Sequence, residues 1–115
     1  MDLHSRPNVF VAQEQPRFNY SDAERFGDLV FVTAVDYSPH QSSLQNDRLL
    51  TAMRHAASRF NPVKDYLLLT GGPITMGLLF HHFSKKSEQM GITGVRCLQW
   101  DRVNNQYRQV IARLK

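Results

Sequence analysis

A pair of glycines between a predicted strand and a predicted helix is the first candidate for chemistry. The segment reads Thr70-Gly71-Gly72-Pro73-Ile74-Thr75-Met76-Gly77. Ligands of open α/β sheets bind at the carboxyl ends of strands, and the free amides of a helix N-terminus attract phosphate. Gly71 and Gly72 would let a ligand approach the backbone, while the hydroxyls of Thr70 and Thr75 would offer hydrogen bonds. The pattern is neither a Walker A loop nor a Gly-x-Gly-x-x-Gly fingerprint, so a tight turn that needs glycine sterically is the competing interpretation.

Polar side chains in two further loops could share a pocket with this turn. Glu14 and Arg17 follow the first predicted strand, and Asp36 and Tyr37 follow the second. Because the carboxyl ends of parallel strands lie at one edge of a sheet, these loops would gather carboxylate, guanidinium and hydroxyl groups around a helix N-terminus. Such a pocket could bind a nucleotide or a sugar phosphate. The alternative is a solvated rim with a few local salt bridges.

The positive charge of the chain lies at its C-terminal end. The formal net charge is +4, and nine basic residues balance nine acidic ones in residues 1–94. Residues 95–115 set five basic side chains against Asp101 alone, with Trp100 and Tyr107 between them; the basic residues are Arg96, Arg102, Arg108, Arg113 and Lys115. Cations interleaved with aromatic rings are typical of single-stranded nucleic-acid binding, and a basic patch also suits an acidic protein. Strand parity does not place all the arginines on one face, and basic residues also protect an edge strand from aggregation.

The remaining reactive side chains lack the spacing that metal binding or catalysis requires. His81 and His82 are adjacent on a helix, so they point about 100° apart and do not converge on one ion. Cys97 lies within a predicted strand, where a small core residue is the expected role. No Gly-x-Ser-x-Gly elbow is present. We therefore assign no metal site, cofactor or catalytic residue and favour a binding protein over an enzyme.

The elements that must position these residues follow the order strand, short helix, strand, helix, strand, helix, strand, strand. Hydrophobic periodicity and turn residues predict strands at 8–12, 28–34, 66–70, 95–100 and 107–114, and main helices at 44–60 and 74–90. A capping box, Ser21 to Glu24, predicts the start of the short helix. Alternation of strand and helix predicts a five-stranded, mostly parallel α/β sheet with right-handed crossovers and an antiparallel C-terminal edge hairpin. Apolar residues 28–34 predict a strand covered on both faces, and residues 66–70 the central strand.

Length and composition suit one domain spanning residues 1–115, with a mass of 13.3 kDa. Hydrophobic residues make up 42% and aromatic residues 10%, which argues against disorder, and the single cysteine excludes an internal disulfide. No apolar run approaches the roughly 20 residues of a membrane span, and the N-terminus shows no secretory signal. We therefore expect a cytoplasmic protein with no membrane partner.

Four segments of the chain are distinctive in combination. They are Gln13-Glu14-Gln15-Pro16-Arg17-Phe18-Asn19-Tyr20, then Glu24-Arg25-Phe26-Gly27-Asp28, then Asp65-Tyr66 before the Gly71-Gly72-Pro73 turn, and Trp100-Asp101-Arg102. Together they resemble small proteins encoded by bacteriophages, over most of the chain. The resemblance implies a viral accessory role in the host cytoplasm, and it implies no reaction because these motifs carry no assigned chemistry.

These observations support three hypotheses. The leading one is an accessory protein that binds a host or viral macromolecule, either protein or nucleic acid, through the basic hairpin of residues 95–115. The second is a protein or enzyme that holds a nucleotide or phosphate ligand at the Gly71-Gly72 turn. The third is a self-assembling structural protein whose exposed edge strand pairs with a second copy of the chain.

Overall fold

The computed structural model describes residues 5–40 and 43–115. Its strands are β1 (Asn8–Gln13), β2 (Asp28–Thr33), β3 (Tyr66–Leu68), β4 (Gly94–Asp101) and β5 (Gln106–Arg113), and its helices are α1 (Leu44–Arg59) and α2 (Pro73–Gln89). A 3₁₀ helix, Ser21–Arg25, lies between β1 and β2. The predicted element order and α/β class are confirmed. In the two described ranges no helix has the length and apolarity that crossing a membrane would require.

The five strands form one sheet in the order β2-β1-β3-β4-β5. β1 pairs in parallel with β2 and β3, β3 pairs in parallel with β4, and β4 pairs antiparallel with β5. The mostly parallel sheet with an antiparallel edge hairpin is thus confirmed, and β3 is the central strand as predicted. This order has its topological switch point between β1 and β3, because the chain leaves β1 toward one edge and later builds toward the other.

The two faces of the sheet are covered unequally, and the right-handed crossover rule explains why. Both α1 and α2 lie in connections that advance toward β5, so they pack on the same face. Their core includes three aromatic rings, in which Phe60 stacks on Phe83 at 4.3 Å and Phe10 meets both rings edge-on. The connection from β1 to β2 runs the other way, so the opposite face receives only the short 3₁₀ helix and its flanking loop.

The second face holds a smaller core. Its buried members include Val9, Tyr20, Ala23, Leu68 and Leu98, which join the 3₁₀ helix and the loop before it to the strands. Because this cover is short, it leaves Leu69 and Thr70 after β3 and the last residues of β4 partly exposed. That opening positions the candidate site described below.

Two local predictions on β2 and the 3₁₀ helix are wrong. β2 is not covered on both faces: it is an edge strand, none of its residues is buried, and Phe31 is 40% exposed. The capping box does not form: Tyr20 is the N-cap residue and the Ser21 amide donates to Asn19 Oδ1 at 2.9 Å. With five residues, the element closes i to i−3 bonds, such as the Ala23 amide to the Tyr20 carbonyl, instead of an α-helical turn.

The boundaries of the two main helices follow their sequence signals. α1 ends at Arg59, ahead of the Asn61-Pro62 pair that cannot continue a helix, and α2 begins at Pro73. Gly91 has φ +73°, the left-handed conformation that commonly ends a helix. These local signals therefore place the N-terminus of α2 directly after the glycine pair.

Candidate binding groove

A groove of about 860 Å³ opens where β3 ends and β4 continues. β3 pairs with β4 only at Leu67 to Cys97 and Leu68 to Leu98, whereas β4 runs on to Asp101. After β3, Thr70 bonds the backbone carbonyl of Gln13 at the end of β1, and the groove is lined by residues 68–70 and by residues 97–100 of β4. Its volume lies in the range of about 300–1,000 Å³ that small-molecule sites occupy in proteins.

The loop between β1 and the 3₁₀ helix supplies one wall of the groove. Tyr20 anchors this loop: its ring is buried, and its hydroxyl accepts a hydrogen bond from the Gln15 amide at 2.8 Å. Arg17, Phe18 and Asn19, the residues between, line the groove. The ring of Phe18 is 57% exposed and contacts Tyr20 edge-on at 6.3 Å, so it presents much of its surface to the opening.

Strands β4 and β5 supply the opposite wall. Trp100 is 42% exposed and meets the ring of Tyr107, its cross-strand partner, at 4.9 Å. Tyr107 is held from the 3₁₀ helix: its amide donates to Asp22 Oδ2 at 2.6 Å, and its carbonyl accepts from Arg25 Nη2 at 2.5 Å. Burial raises the pKa of the Tyr107 hydroxyl. The exposed indole of Trp100 therefore packs against the buried ring of Tyr107, whose backbone is hydrogen-bonded to the 3₁₀ helix.

The charged residues that line the groove are both cations. Arg17 comes from the loop and Arg102 from the β4–β5 turn, and both are exposed. Within residues 5–40 and 43–115 neither guanidinium forms an ion pair, and no acidic side chain lines the groove. The groove thus combines two uncompensated positive charges with the exposed rings of Phe18 and Trp100.

The structure sorts the predicted macromolecule-binding residues into two groups. Trp100, Arg102 and Tyr107 line the groove. The other three are arginines that do not line it, namely Arg96, Arg108 and Arg113. The groove is also lined by Arg17, which the sequence analysis had placed in the predicted pocket at the Gly71-Gly72 turn.

Arg96 and Arg108 are engaged within the fold. The Arg96 guanidinium lies 4.4 Å from the centre of the Tyr66 ring and donates to the Tyr66 hydroxyl at 2.5 Å and to the Val63 carbonyl. Arg108 Nε lies 2.7 Å from Asp101 Oδ2. Hydrogen bonds from Asn104 first, then the Val103 amide and the Arg108 charge, hold the pKa of Asp101 low despite some desolvation. The formal charge of the hairpin therefore overstates the charge that is free to meet a partner.

The polar groups of the Gly71-Gly72 turn are bonded to two side chains of the protein itself. Gln13 Oε1 accepts a hydrogen bond from the Gly72 amide at 3.0 Å, and the backbone carbonyl of Gln13 accepts one from Thr70 Oγ1 at 2.6 Å. The Thr75 hydroxyl, fully buried, donates to the Asp36 carboxylate. This carboxylate thus occupies the N-terminal end of α2, where a bound anion would be favoured.

The structure distributes the predicted ligand-binding residues over two places. Asp36, Gly72 and Thr75 lie together at the start of α2, next to Gly71. Arg17 and Thr70 line the groove instead. Glu14 has an exposed side chain, and its amide donates to the Thr33 carbonyl at 2.8 Å.

A comparison with protein-family models identifies the relatives of this chain. The model described as Phage Pam3 gp32-like protein matches residues 7–114. The chain belongs to the Phage Pam3 gp32-like protein family. The predicted resemblance to small phage-encoded proteins is thereby confirmed. Searches of curated proteins and of solved structures found no match.

His82 and Cys97, two other reactive side chains, are partly buried. Burial, followed by the neighbouring charges of His81, Arg54 and Lys85, lowers the pKa of His82. Burial raises the pKa of the Cys97 thiol to about 11, so the thiol is protonated at neutral pH. Across the described part of the chain, no three His, Cys, Asp or Glu side chains are grouped in a way that could hold a metal ion.

Sequence reasoning missed Phe18 and Gln13 as contributors to these sites, and it named Asp36 without the role that the structure gives it. Phe18 lies in a polar loop and gave no strand or helix signal. Gln13 ends β1, and its role depends on β1 being the neighbour of β3, which only the strand order shows. Asp36 was placed at the correct edge of the sheet, but its role as the partner of Thr75 depends on the path of the loop after β2. Position at the carboxyl end of a strand is the signal that all three share.

Proposed function

We propose that this protein binds single-stranded nucleic acid in the groove between the loop of residues 14–20 and the β4–β5 hairpin. The observation that carries the proposal is the lining of the groove. Arg17 and Arg102 contribute uncompensated positive charge, and Phe18 and Trp100 contribute exposed rings. Phosphates and bases are the two parts of a single strand that these groups recognise.

The two kinds of side chain would act on different parts of the strand. Every base has a flat π-face, so stacking on an aromatic ring tolerates any sequence and contributes about 1–3 kcal/mol per base. Each phosphate contact releases condensed counterions and lowers log K by about 0.7 per tenfold rise in salt for a single strand. Two rings and two guanidinium groups therefore suit a short segment bound without strong sequence preference.

An acidic protein is the other macromolecule that the basic hairpin could attract. Such a partner would satisfy the two arginines, but it has no general need for the faces of Phe18 and Trp100. Arg96 and Arg108, which would widen the basic surface for a protein partner, are held by Tyr66 and by Asp101. The lining of the groove therefore favours nucleic acid.

The nucleotide or phosphate site at the Gly71-Gly72 turn is the second candidate function. Its support is the position of the turn at the topological switch point of the sheet. Against it stands the Asp36 carboxylate, which bonds Thr75 and would repel an incoming phosphate. A thermal-shift panel of nucleotides tests this candidate: a ligand at a hundredfold excess over its Kd would stabilise the protein by about 2.7 kcal/mol.

Fluorescence offers a direct test of nucleic-acid binding because Trp100 is the single tryptophan of the chain. We expect oligothymidylate of twelve nucleotides to quench this fluorescence at low salt. The binding constant should fall with salt on a log–log slope of about −1.4 for two phosphate contacts. A duplex of the same length should bind more weakly, because its bases are not free to stack.

Matched variants connect the binding to the groove. Arg17→Ala and Arg102→Ala should each flatten the salt slope by about 0.7, and Phe18→Ala should weaken binding at every salt concentration. Arg59→Ala, an exposed arginine at the end of α1, is the control and should bind like wild type. The proposal fails if wild type shows no quenching at low salt, if Arg59→Ala loses as much affinity as Arg102→Ala, or if polyglutamate binds as tightly as the oligonucleotide.

A further inference from the structure

β5 pairs with β4 on one side only, and part of its other side has no partner strand. The hydrogen bonds of the hairpin show which backbone amides and carbonyls point toward that outer side. In an antiparallel ladder, alternate residues direct both backbone groups toward the same side. The Leu114 amide donates inward, to the Thr93 carbonyl at 2.8 Å, whereas both backbone groups of Tyr107 point outward to the 3₁₀ helix. By this alternation, Gln109, Ile111 and Arg113 also point their amides and carbonyls outward.

These three residues continue an edge that the rest of the fold does not cover. Within the residues that the structure describes, their outward backbone groups have no hydrogen-bond partner beyond the strand. Two apolar side chains lie exposed on the same segment, Val110 at 40% and Ile111 at 47%. An uncovered edge with exposed apolar residues is a template for pairing with another strand.

We propose that the β5 edge pairs with a second copy of this chain, antiparallel, with the two-fold axis at Ile111. This register sets Ile111 opposite Ile111 of the copy, and Gln109 opposite Arg113 of the copy at both ends. Each of these pairs shares two hydrogen bonds, so all three residues with free backbone groups are satisfied. The result is one continuous sheet across two copies.

The 3₁₀ helix excludes the neighbouring register. An axis at Val110 would set Tyr107 opposite Arg113 of the copy, but the backbone groups of Tyr107 already bond Asp22 and Arg25. An axis at Ala112 would leave Gln109 opposite Lys115, which lies beyond the end of the strand. Of these three registers, only the axis at Ile111 pairs all the unbonded outward amides and carbonyls of β5 with those of the copy.

Charge and burial agree with the same register. Arg113 would lie opposite the neutral Gln109, and Arg108 opposite Leu114, so no two arginines meet directly across the new ladder. On the face of the sheet that carries the helices, Val110 would lie beside Ala112 of the copy. The pairing would thus cover the exposed apolar side chains of β5 without placing like charges together, which would destabilise a strand pair.

Disulfide cross-linking tests the register in a Cys97→Ser background, which removes the native thiol. Residues of a hydrogen-bonded antiparallel pair have Cα atoms about 5.5 Å apart, within reach of a disulfide. Ile111→Cys should therefore form a covalent dimer on mild oxidation. Gln109→Cys is the matched control: its sulfur would lie roughly 14 Å along the strand from its copy, so it should form no covalent dimer. Equal cross-linking of both variants, or of neither, would overturn the proposal.

Light scattering against concentration tests the association itself. We expect wild type to approach twice its chain mass of 13.3 kDa as the concentration rises. Ile111→Lys sets two ammonium groups against each other on the axis, so it should keep the single-chain mass, with an unchanged circular dichroism spectrum. Val103→Lys, at an 89% exposed turn position of the same hairpin, should behave like wild type. A single-chain mass for wild type at all concentrations refutes the pairing.

Discussion

Replacing Gly72 by alanine should destabilise the protein through one side chain, Asp36. The backbone at Gly72 has φ −68° and ψ 148°, a conformation that alanine adopts freely. A Cβ atom at this position would, however, lie 2.6 Å from the carboxyl carbon of Asp36, far inside the contact distance of about 3.5–4.0 Å. Asp36 would have to move away from the Thr75 hydroxyl and from the Tyr37 amide, which donates a hydrogen bond to Asp36 Oδ1 at 2.9 Å.

The size of the effect follows from these contacts. Overpacking of this kind costs typically about 1–3 kcal/mol, and we expect Gly72→Ala to lower the free energy of unfolding by about 2 kcal/mol. Asp36→Ala alone should cost about 1 kcal/mol, the net worth of ordinary hydrogen bonds at an exposed carboxylate. In the Asp36→Ala background the obstacle is absent, so Gly72→Ala should become neutral or stabilise by about 0.5 kcal/mol, since alanine restricts the unfolded chain.

A double-mutant cycle measured by urea unfolding checks this reasoning. The coupling between the two positions should be about 2 kcal/mol, well above the roughly 0.5 kcal/mol within which independent sites add. Gly71→Ala is the control, because Gly71 has φ +113° and its added Cβ would meet Gln13 rather than Asp36. Gly71→Ala should destabilise equally with and without Asp36. If the costs of Asp36→Ala and Gly72→Ala simply add, the glycine is not required by the carboxylate.

Two further predictions concern ionisable groups. Because burial raises the pKa of Cys97 to about 11 from 9.0, the folded protein should react with iodoacetamide at pH 8 roughly 100-fold more slowly than the urea-unfolded protein, and equal rates would contradict this. Hydrogen bonds from Arg25 and then from the Tyr107 amide lower the pKa of Asp22, so the stability that this carboxylate contributes is present at neutral pH and is lost as the pH falls below about 4. Wild type should therefore resist urea better than Asp22→Asn at pH 7, and this advantage should shrink as the pH is lowered below about 4, through the lowered pKa of Asp22. An advantage that stays the same size as the pH is lowered would refute the assignment.

Local signals predicted the elements well, because each depends on residues that are neighbours along the chain. Pro73 marks the first residue of α2, and the Asn61-Pro62 pair follows the end of α1. The short apolar run at β3, bounded by breakers, identified the central strand. The prediction for β2 was wrong because its apolar run indicated a strand covered on both faces, whereas none of its residues is buried.

The candidate groove depends on contacts that no local pattern encodes. Arg17 and Arg102 come from opposite ends of the chain and line one space because β3 stops at Leu68 while β4 continues. The sequence located the excess positive charge, but it did not show that Tyr66 and Asp101 engage two of the hairpin arginines.

By itself, then, the sequence determined the α/β class, the element order, the phage relationship and the place of the charge. Periodicity, breakers and residue counts suffice for the class, the element order and the place of the charge, whereas the phage relationship rests on a resemblance that the family match confirms. The tertiary structure alone decided which strand is at the edge, which side chain occupies the N-terminus of α2, and which cations remain free. The strand order leaves the outer edge of β5 unpaired. For that order, right-handed crossovers cover one face of the sheet with two helices and the other with a five-residue 3₁₀ helix, which leaves room for the groove.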